Sequence, residues 1–449
     1  MLKPLNKNFA PKSVMPEKVI QFGEGNFLRA FVDWIIWNMD QKTNFNGSVV
    51  VVQPIDKGMV EWLNGQDCLY HVNLQGRENG KPVNSLERID VISRALNPYS
   101  QNDAFMALAD QPEIRFVISN TTEAGIAFDP ACKLEDKPAS SYPGKLVQLL
   151  YRRYQTFNGD PTKGLIIFPC ELIFLNGHVL KDCINKYIEL WQLPAGFKKW
   201  FDECCGVYAT LVDRIVPGFP RKEIAQEFPA DKAGLHVLFV PSEGPYHKRK
   251  VTLLNGPHTV LSPVAFLSGV NIVRDACNHE VISKYIHKVQ FDELMQTLDL
   301  PMEELEKFAG DVLERFDNPF VDHQVTSIML NSFPKFQARD LPGVKTYLER
   351  KGELPKGLVF GLAAIITYYK GGKRADGVEI IPNDDEKIMG LLKELWATGD
   401  TQKVADGVLG AEFIWQEDLN KIQGLNTMVK QFLDLIQDKG MLEAVKTIL

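Results

Sequence analysis

Residues 248–258 read KRKVTLLNGPH, a stretch in which a lysine, an asparagine and a histidine interrupt otherwise apolar or helix-breaking residues. On a helix each residue advances about 100°, so Lys250, Asn255 and His258 fall within an arc of roughly 140°. Three such groups suit the oxidation of a secondary alcohol and its reverse. A lysine serves as base or acid there if burial or a neighbouring cation brings its pKa from about 10.4 towards neutrality. Lys248 and Arg249 leave a helix in other directions, so burial is the expected cause for Lys250. Asn255 would donate its amide to a carbonyl oxygen or developing alkoxide, and His258 would orient a substrate hydroxyl. A blander reading stays open beside this one: a surface lysine at a helix start, an asparagine in a helix-terminating turn before Gly256-Pro257, and a core histidine. Pro257 is expected to bend or break the helix.

A second candidate lies near the start, in Gly23-Glu24-Gly25-Asn26-Phe27-Leu28-Arg29. In a dinucleotide fold the first glycine makes the tight turn and the second lets the backbone approach the pyrophosphate at a helix N-terminus. Leu28 stands where the third glycine would be. Phe22, Gly23, Glu24, Gly25, Asn26 and Phe27 are therefore the candidate cofactor turn. The following strand ends Gln53-Pro54-Ile55-Asp56, and Asp56 is the nearest acid for the adenosine ribose hydroxyls. No arginine waits there for a 2′-phosphate, which favours NAD over NADP. A later strand ends in the loop Ser119–Gly125, where Asn120, Thr121 and Glu123 are expected beside the cofactor. Plain turn chemistry explains either loop without a ligand.

The elements that must position these residues change character along the chain. Strand-like runs near residues 19, 48, 88, 114, 164 and 236 alternate with amphipathic segments such as NFLRAFVDWIIWNM and GKLVQLLYRRYQTF, the pattern of a parallel sheet covered by helices. After about residue 245, helical patterns dominate, as in ISKYIHKVQFDELMQTL, PMEELEKFAGDVLERF, GLVFGLAAIITYYKGG and NTMVKQFLDLIQDKGMLEAVKTIL. The expected fold class is α/β: a Rossmann-like, doubly wound domain over residues 1–245, then a mainly α-helical substrate and catalytic domain over 246–449.

Bulk properties exclude several functions. The 449 residues are 45% hydrophobic and 24% charged, within the globular range. A net charge of -7 with no long basic run argues against nucleic acid as a partner. No signal-peptide core and no window of about 18 apolar residues is present, so no membrane partner and a cytoplasmic location are expected. The seven cysteines follow no disulfide or CxxC pattern, and the eight histidines form no HExxH or HxxxH spacing, so no metal site is expected.

The motifs together resemble the polyol-specific long-chain dehydrogenases, a family that includes mannitol dehydrogenases and hexuronate reductases. The resemblance spans nearly the whole chain, through FGEGNFLRAF, SNTTEAG, FPCELIFLNG, TLVDRIVPG, RKVTLLNGPHT, RFDNPFVDHQ and FPKF. Lys250, Asn255 and His258 match the family's Lys-x4-Asn-x2-His signature. The resemblance implies Lys250 as general acid/base, Asn255 as oxyanion donor, His258 and Lys335 as substrate contacts, and Asp213 of VDRI near the active site. Four positions depart from mannitol dehydrogenases: Cys170-Glu171-Leu172 stands where they have Cys-Asp-Asn, His247 replaces a glutamate, and Ser327 replaces an arginine. These departures suit a sugar acid, with Lys335, His323 and Arg29 as basic candidates for its carboxylate; Arg29 serves equally well as a phosphate or helix contact. The implied activity is NAD-dependent, metal-free reduction of a keto-hexuronate. A polyol dehydrogenase and a non-catalytic NAD-binding redox sensor remain the alternatives.

Overall fold

The computed structural model describes residues 5–78, 80–122, 124–214, 216 and 244–449. Two compact units emerge, one of residues 1–74 and 84–243, the other of residues 75–83 and 244–449.

Among the described residues the first unit is built on six parallel strands: β1 (Glu17–Phe22), β2 (Ser48–Val52), β5 (Ile92–Leu96), β6 (Phe116–Ser119), β7 (Ile166–Pro169) and β8 (Gly206–Val207). A hairpin of β3 (Tyr70–Glu78) and β4 (Lys81–Ile89) stands between β2 and β5 in sequence and forms its own two-stranded sheet. The main sheet runs β5-β2-β1-β6-β7-β8. Counted among its own members, this is the order 3-2-1-4-5-6 of doubly wound nucleotide folds, whose switch point lies between the first and fourth strands.

Every residue of β2, SVVVV, is buried, as expected for a strand covered on both faces. Val19, Val49 and Val51 join one apolar cluster, and Ile20, Phe22, Val50 and Val52 join another. The alternation shows the two faces of the sheet. Helix α3 (Tyr142–Thr156) supplies Leu146, Val147, Leu149 and Leu150 to the second cluster, and Ser141 caps its N-terminus by accepting from Gly144 N.

Three sequence expectations need correction in this unit. RIDVIS is not one strand, because Ile89 ends β4 and Ile92 begins β5 in a different sheet. At the corner between them the Asp90 carboxylate accepts from Ser13 N and Oγ at 3.2 and 2.8 Å. NFLRAFVDWIIWNM divides at Phe31, whose φ of -119° and ψ of -67° separate α1 (Asn26–Ala30) from α2 (Val32–Lys42). Apart from Arg88 and Ile89 the β3–β4 hairpin has no counterpart among the expected strands, since Tyr70–Gln75 alternates apolar with polar residues and neither strand presents a β-branched run. The strand expected near residue 236 lies outside the described residues.

The second unit is helical apart from the hairpin tip and two short two-residue strands. Helix α5 (Gly244–Lys250) runs through a π-turn at Val251–Asn255 into α6 (Gly256–Leu267). The unit continues through α7 (Glu280–His287), a π-turn at Lys288–Leu294, α8 (Met302–Phe316), α9 (Ser332–Arg339), α10 (Lys356–Tyr368), α11 (Leu425–Lys439) and α12 (Met441–Lys446), among other elements. The last predicted run breaks between α11 and α12 at Gly440, which has φ +78°. Helix α10 is buried along nearly its whole length. It crosses α6 at Gly361, where a Cβ would stand 2.4 Å from that of Val260. Only glycine permits this approach, which fixes the helix carrying His258 against the centre of the unit. Among the described residues no helix is long and apolar enough to cross a membrane. All seven cysteines are free.

Candidate functional site

The glycine turn of the first unit lies at the end of β1, beside the switch point. Gly23 has φ +120°, and a Cβ there would stand 2.8 Å from Asn120 O in the loop after β6. The turn and the β6 loop are thus locked together through a contact that only glycine allows, and Asn120 N donates to Phe22 O at 3.0 Å. Gly25 is the N-cap of α1, and a Cβ added to it would meet nothing within 4 Å. That open space at a helix start, beside the switch point of a 3-2-1-4-5-6 sheet, fits the pyrophosphate of a dinucleotide. Leu28 fills the volume the missing third glycine would leave, with Cδ1 3.2 Å from a Cβ on Gly23.

The other candidates of this unit divide by what their side chains do. Phe22 is fully buried against Phe105 and Tyr142, so only its backbone reaches the turn. Phe27 packs on Phe31, and Asn26 Oδ1 accepts from Arg29 Nη2 at 2.5 Å. Arg29 also donates to Glu24 O at 3.0 Å and lies over the Trp62 and Tyr70 rings. The structure therefore gives Arg29 to bracing the turn. The Glu24 carboxylate reaches Met59 N at 3.4 Å, and burial pushes its pKa up. Asp56 is exposed at the tip after β2, in a loop held by Gln53 Nε2 donating to Ile55 O and Asp56 O at 2.8 Å each. Gln53 escapes a reading by motif because a glutamine at a strand end carries no signature.

Glu171, one of the departures from the family pattern, has a defined position. Its Oε1 accepts from Thr121 N and Thr121 Oγ1 at 2.9 Å, and its Oε2 from Ser119 Oγ at 3.1 Å. Asn120 Nδ2 donates to Cys170 O at 2.6 Å. The polar groups of Asn120 and Thr121 thus tie the ends of β6 and β7 together and shape the loop. Glu123 lies outside the described residues. Leu172 is exposed, and Asp213 is partly buried.

On the second unit, Lys250 ends α5, Asn255 ends the π-turn and His258 follows in the first turn of α6. The helix does not break at Pro257, and the helix-terminating turn is not formed. A wider π-turn precedes the proline instead, with Gly256 N donating to Val251 O. In a regular α-helix Leu253 O would accept from residue 257, and proline has no N–H to give. Gln290 Nε2, fully buried, donates to Leu253 O at 2.8 Å. A π-turn advances fewer degrees per residue than the α-helix assumed for the sequence, and such turns concentrate at functional sites.

Lys250, Asn255, His247 and His258 are each partly buried. The His258 ring stacks on Phe316 at 3.8 Å and meets His323 edge-on at 5.6 Å. Its Nε2 is buried, with no hydrogen-bond partner among the described residues. Burial, helped by His323 and Arg339, holds the imidazole pKa down at about 3. It is neutral at physiological pH and has one nitrogen available to a ligand. Lys335 Nζ donates to Ile328 O at 2.6 Å, and burial and Arg339 lower its pKa. Ser327 is exposed and donates to Gln324 O. The second unit carries His258 and His323 in ring contact, and Lys335, while Arg29, Asp56 and Asp213 belong to the first. Arg339, one turn beyond Lys335, was missed because the FPKF motif stops at residue 336.

A doubly wound sheet with a glycine turn at its switch point, joined in one chain to a helical unit bearing a lysine, an asparagine and a histidine, is the organisation of a two-unit, dinucleotide-binding dehydrogenase. Residues 17–237 match the family model of the mannitol dehydrogenase Rossmann domain, and residues 244–437 that of the mannitol dehydrogenase C-terminal domain. The chain belongs to the mannitol dehydrogenase family, and it is accordingly an oxidoreductase acting on CH–OH groups. It is 74% identical to an altronate oxidoreductase of Bacteroides thetaiotaomicron, with all of both chains covered. It is 41% identical to that of Bacillus subtilis, covering 99% of this chain and 98% of the relative. Among solved structures, a Pseudomonas fluorescens mannitol 2-dehydrogenase in ternary complex with NAD and D-mannitol shares the fold with a TM-score of 0.68 at 19% identity, covering 99% of each chain. A substrate-free D-sorbitol dehydrogenase reaches a TM-score of 0.77 at 18% identity, over 97% of this chain and 96% of the other.

Proposed function

We propose that the chain interconverts D-tagaturonate and D-altronate with NAD, using Lys250 as general acid and base. The observation that carries this reading is 74% identity, over the full length of both chains, to a protein named altronate oxidoreductase. The Lys250, Asn255 and His258 set on one continuous helical run supports it. NAD, when bound, supplies or accepts the hydride. In the reducing direction Lys250 gives a proton to the ketone oxygen as negative charge develops there, and in the oxidising direction it removes the hydroxyl proton. The Asn255 amide stabilises the developing alkoxide. His258, held neutral, presents Nε2 to a substrate hydroxyl. Gly23, Gly25 and the braced β1–α1 turn hold the pyrophosphate, and the Asp56 loop receives the adenosine ribose. The acidic tip after β2 and its lack of arginine favour NAD over NADP. We place the enzyme in the cytoplasm, and the chemistry of the reading requires no metal.

The test is NADH consumption by the purified protein over D-tagaturonate, D-fructuronate and D-fructose, with NADPH in parallel. The expected result is highest kcat/KM with tagaturonate and NADH. A clear preference for fructose sinks the hexuronate reading, and a preference for fructuronate reassigns the substrate. Tight NADH binding without turnover of any of the three favours a non-catalytic sensor.

A further inference from the structure

Helix α9 carries two cations on one face, Lys335 and Arg339, four residues apart. The Arg339 guanidinium donates through Nη1 to Thr259 Oγ1 at 3.2 Å, beside His258. That bond engages one of its five N–H donors, and it makes no ion pair with a carboxylate among the described residues. The adjacent Asp340 makes no hydrogen bond to it: this carboxyl is fully buried, neither oxygen has a hydrogen-bond partner among the described residues, and burial holds its pKa well above the usual range. Asp384, the acid whose charge reaches Lys335, is engaged by the Tyr369 hydroxyl at 2.5 Å. Arg339 in turn depresses the pKa of both His258 and Lys335, so its charge acts on the same space. Lys335 uses one N–H on Ile328 O and keeps two. Two half-buried cations on one helix face repel, and a bound anion relieves that repulsion. A planar fork anchored at one arm by a threonine is suited to holding a carboxylate through two parallel hydrogen bonds.

We propose that Arg339, with Lys335, seats the terminal carboxylate of the sugar-acid substrate and is the residue that makes this site prefer an acid-ended sugar to a neutral one. The inference rests on the hexuronate reading above and adds a residue outside the motifs that led to it. His258 remains on the hydroxyls, because a neutral imidazole is a weak partner for a carboxylate.

The test compares wild type with Arg339→Gln and Arg339→Lys. Titration calorimetry measures binding of D-altronate and of its uncharged counterpart D-altritol to the NADH-loaded enzyme, which cannot oxidise either, and steady-state kinetics measures tagaturonate against fructose. Loss of charge-assisted hydrogen bonds predicts that Arg339→Gln lowers the altronate-to-altritol affinity ratio about 10- to 100-fold. The KM for tagaturonate rises correspondingly while kcat changes much less, and Arg339→Lys falls between the two. Equal weakening of both ligands, or an unmoved ratio, overturns the assignment of Arg339. A wild-type enzyme that turns over no keto-hexuronate overturns the hexuronate reading and this inference with it. If Arg339→Gln melts early, Arg339→Lys and Thr259→Val, which frees the guanidinium arm, carry the same comparison.

Discussion

His258 shows how far a residue's neighbours decide its chemistry. As a letter in the sequence it is either a ligand or a satisfied core histidine. The structure stacks its ring on Phe316, leaves Nε2 shielded with no hydrogen-bond partner among the described residues, and holds its pKa at about 3. The ordinary value is 6.5, so between these limits the unfolded chain binds a proton that the folded one refuses. Stability therefore rises with pH across that window: this contribution is fully present above about 6.5 and is lost progressively as pH falls towards 3. The expected outcome is that the urea midpoint of wild type drops between pH 6.5 and 4 more steeply than that of His258→Gln. Parallel pH profiles would show that His258 takes up a proton as readily in the folded chain as in the unfolded one, contrary to its being held neutral by burial. Lys335 sits inside a motif and is legible in the sequence, whereas Arg339 sits just beyond one and is not.

At the scale of elements, the run through Lys250, Asn255 and His258 is helical as its pattern implies, yet proline does not break it. The group that rescues it lies far away in sequence, since the buried amide of Gln290 supplies the hydrogen bond that Pro257 withholds from Leu253. Local patterning contains no such partner, which is why the π-turn is illegible in it. Replacing Gln290 with methionine keeps the volume and leaves Leu253 O buried without its donor. The expected cost is about 1–3 kcal/mol of stability, measured by urea unfolding, with a larger loss in kcat than in affinity for NADH. A variant as stable and active as wild type would mean that the π-turn needs no support from Gln290. The β3–β4 hairpin is hidden for a related reason: its strands lack the continuous apolar run that exposes β2 and β6.

Across the whole molecule the alternation of strands and helices and the change to helices after residue 245 are both visible in the sequence, because a buried parallel strand and an amphipathic helix have different periods. What the sequence does not show is the assignment of a hairpin tip, residues 75–83, to the second unit. Arg77 of that tip pairs with Asp317 at 3.0 Å, and Gly80 N donates to Glu314 Oε1 at 3.1 Å. No periodicity encodes a contact across such a distance in sequence.

The proposed cofactor turn belongs to one unit and Lys250, the proposed acid/base, to the other, so removing the lysine is expected to leave cofactor binding in place. The deciding measurement is NADH oxidation by wild type and Lys250→Ala in saturating D-tagaturonate, with NADH affinity and melting temperature determined on the same preparations. With Lys250 as the acid/base, kcat falls about 10²- to 10⁴-fold, while NADH affinity and the melting temperature stay close to wild type. A folded Lys250→Ala enzyme that binds NADH and turns over tagaturonate at near wild-type rate would contradict it.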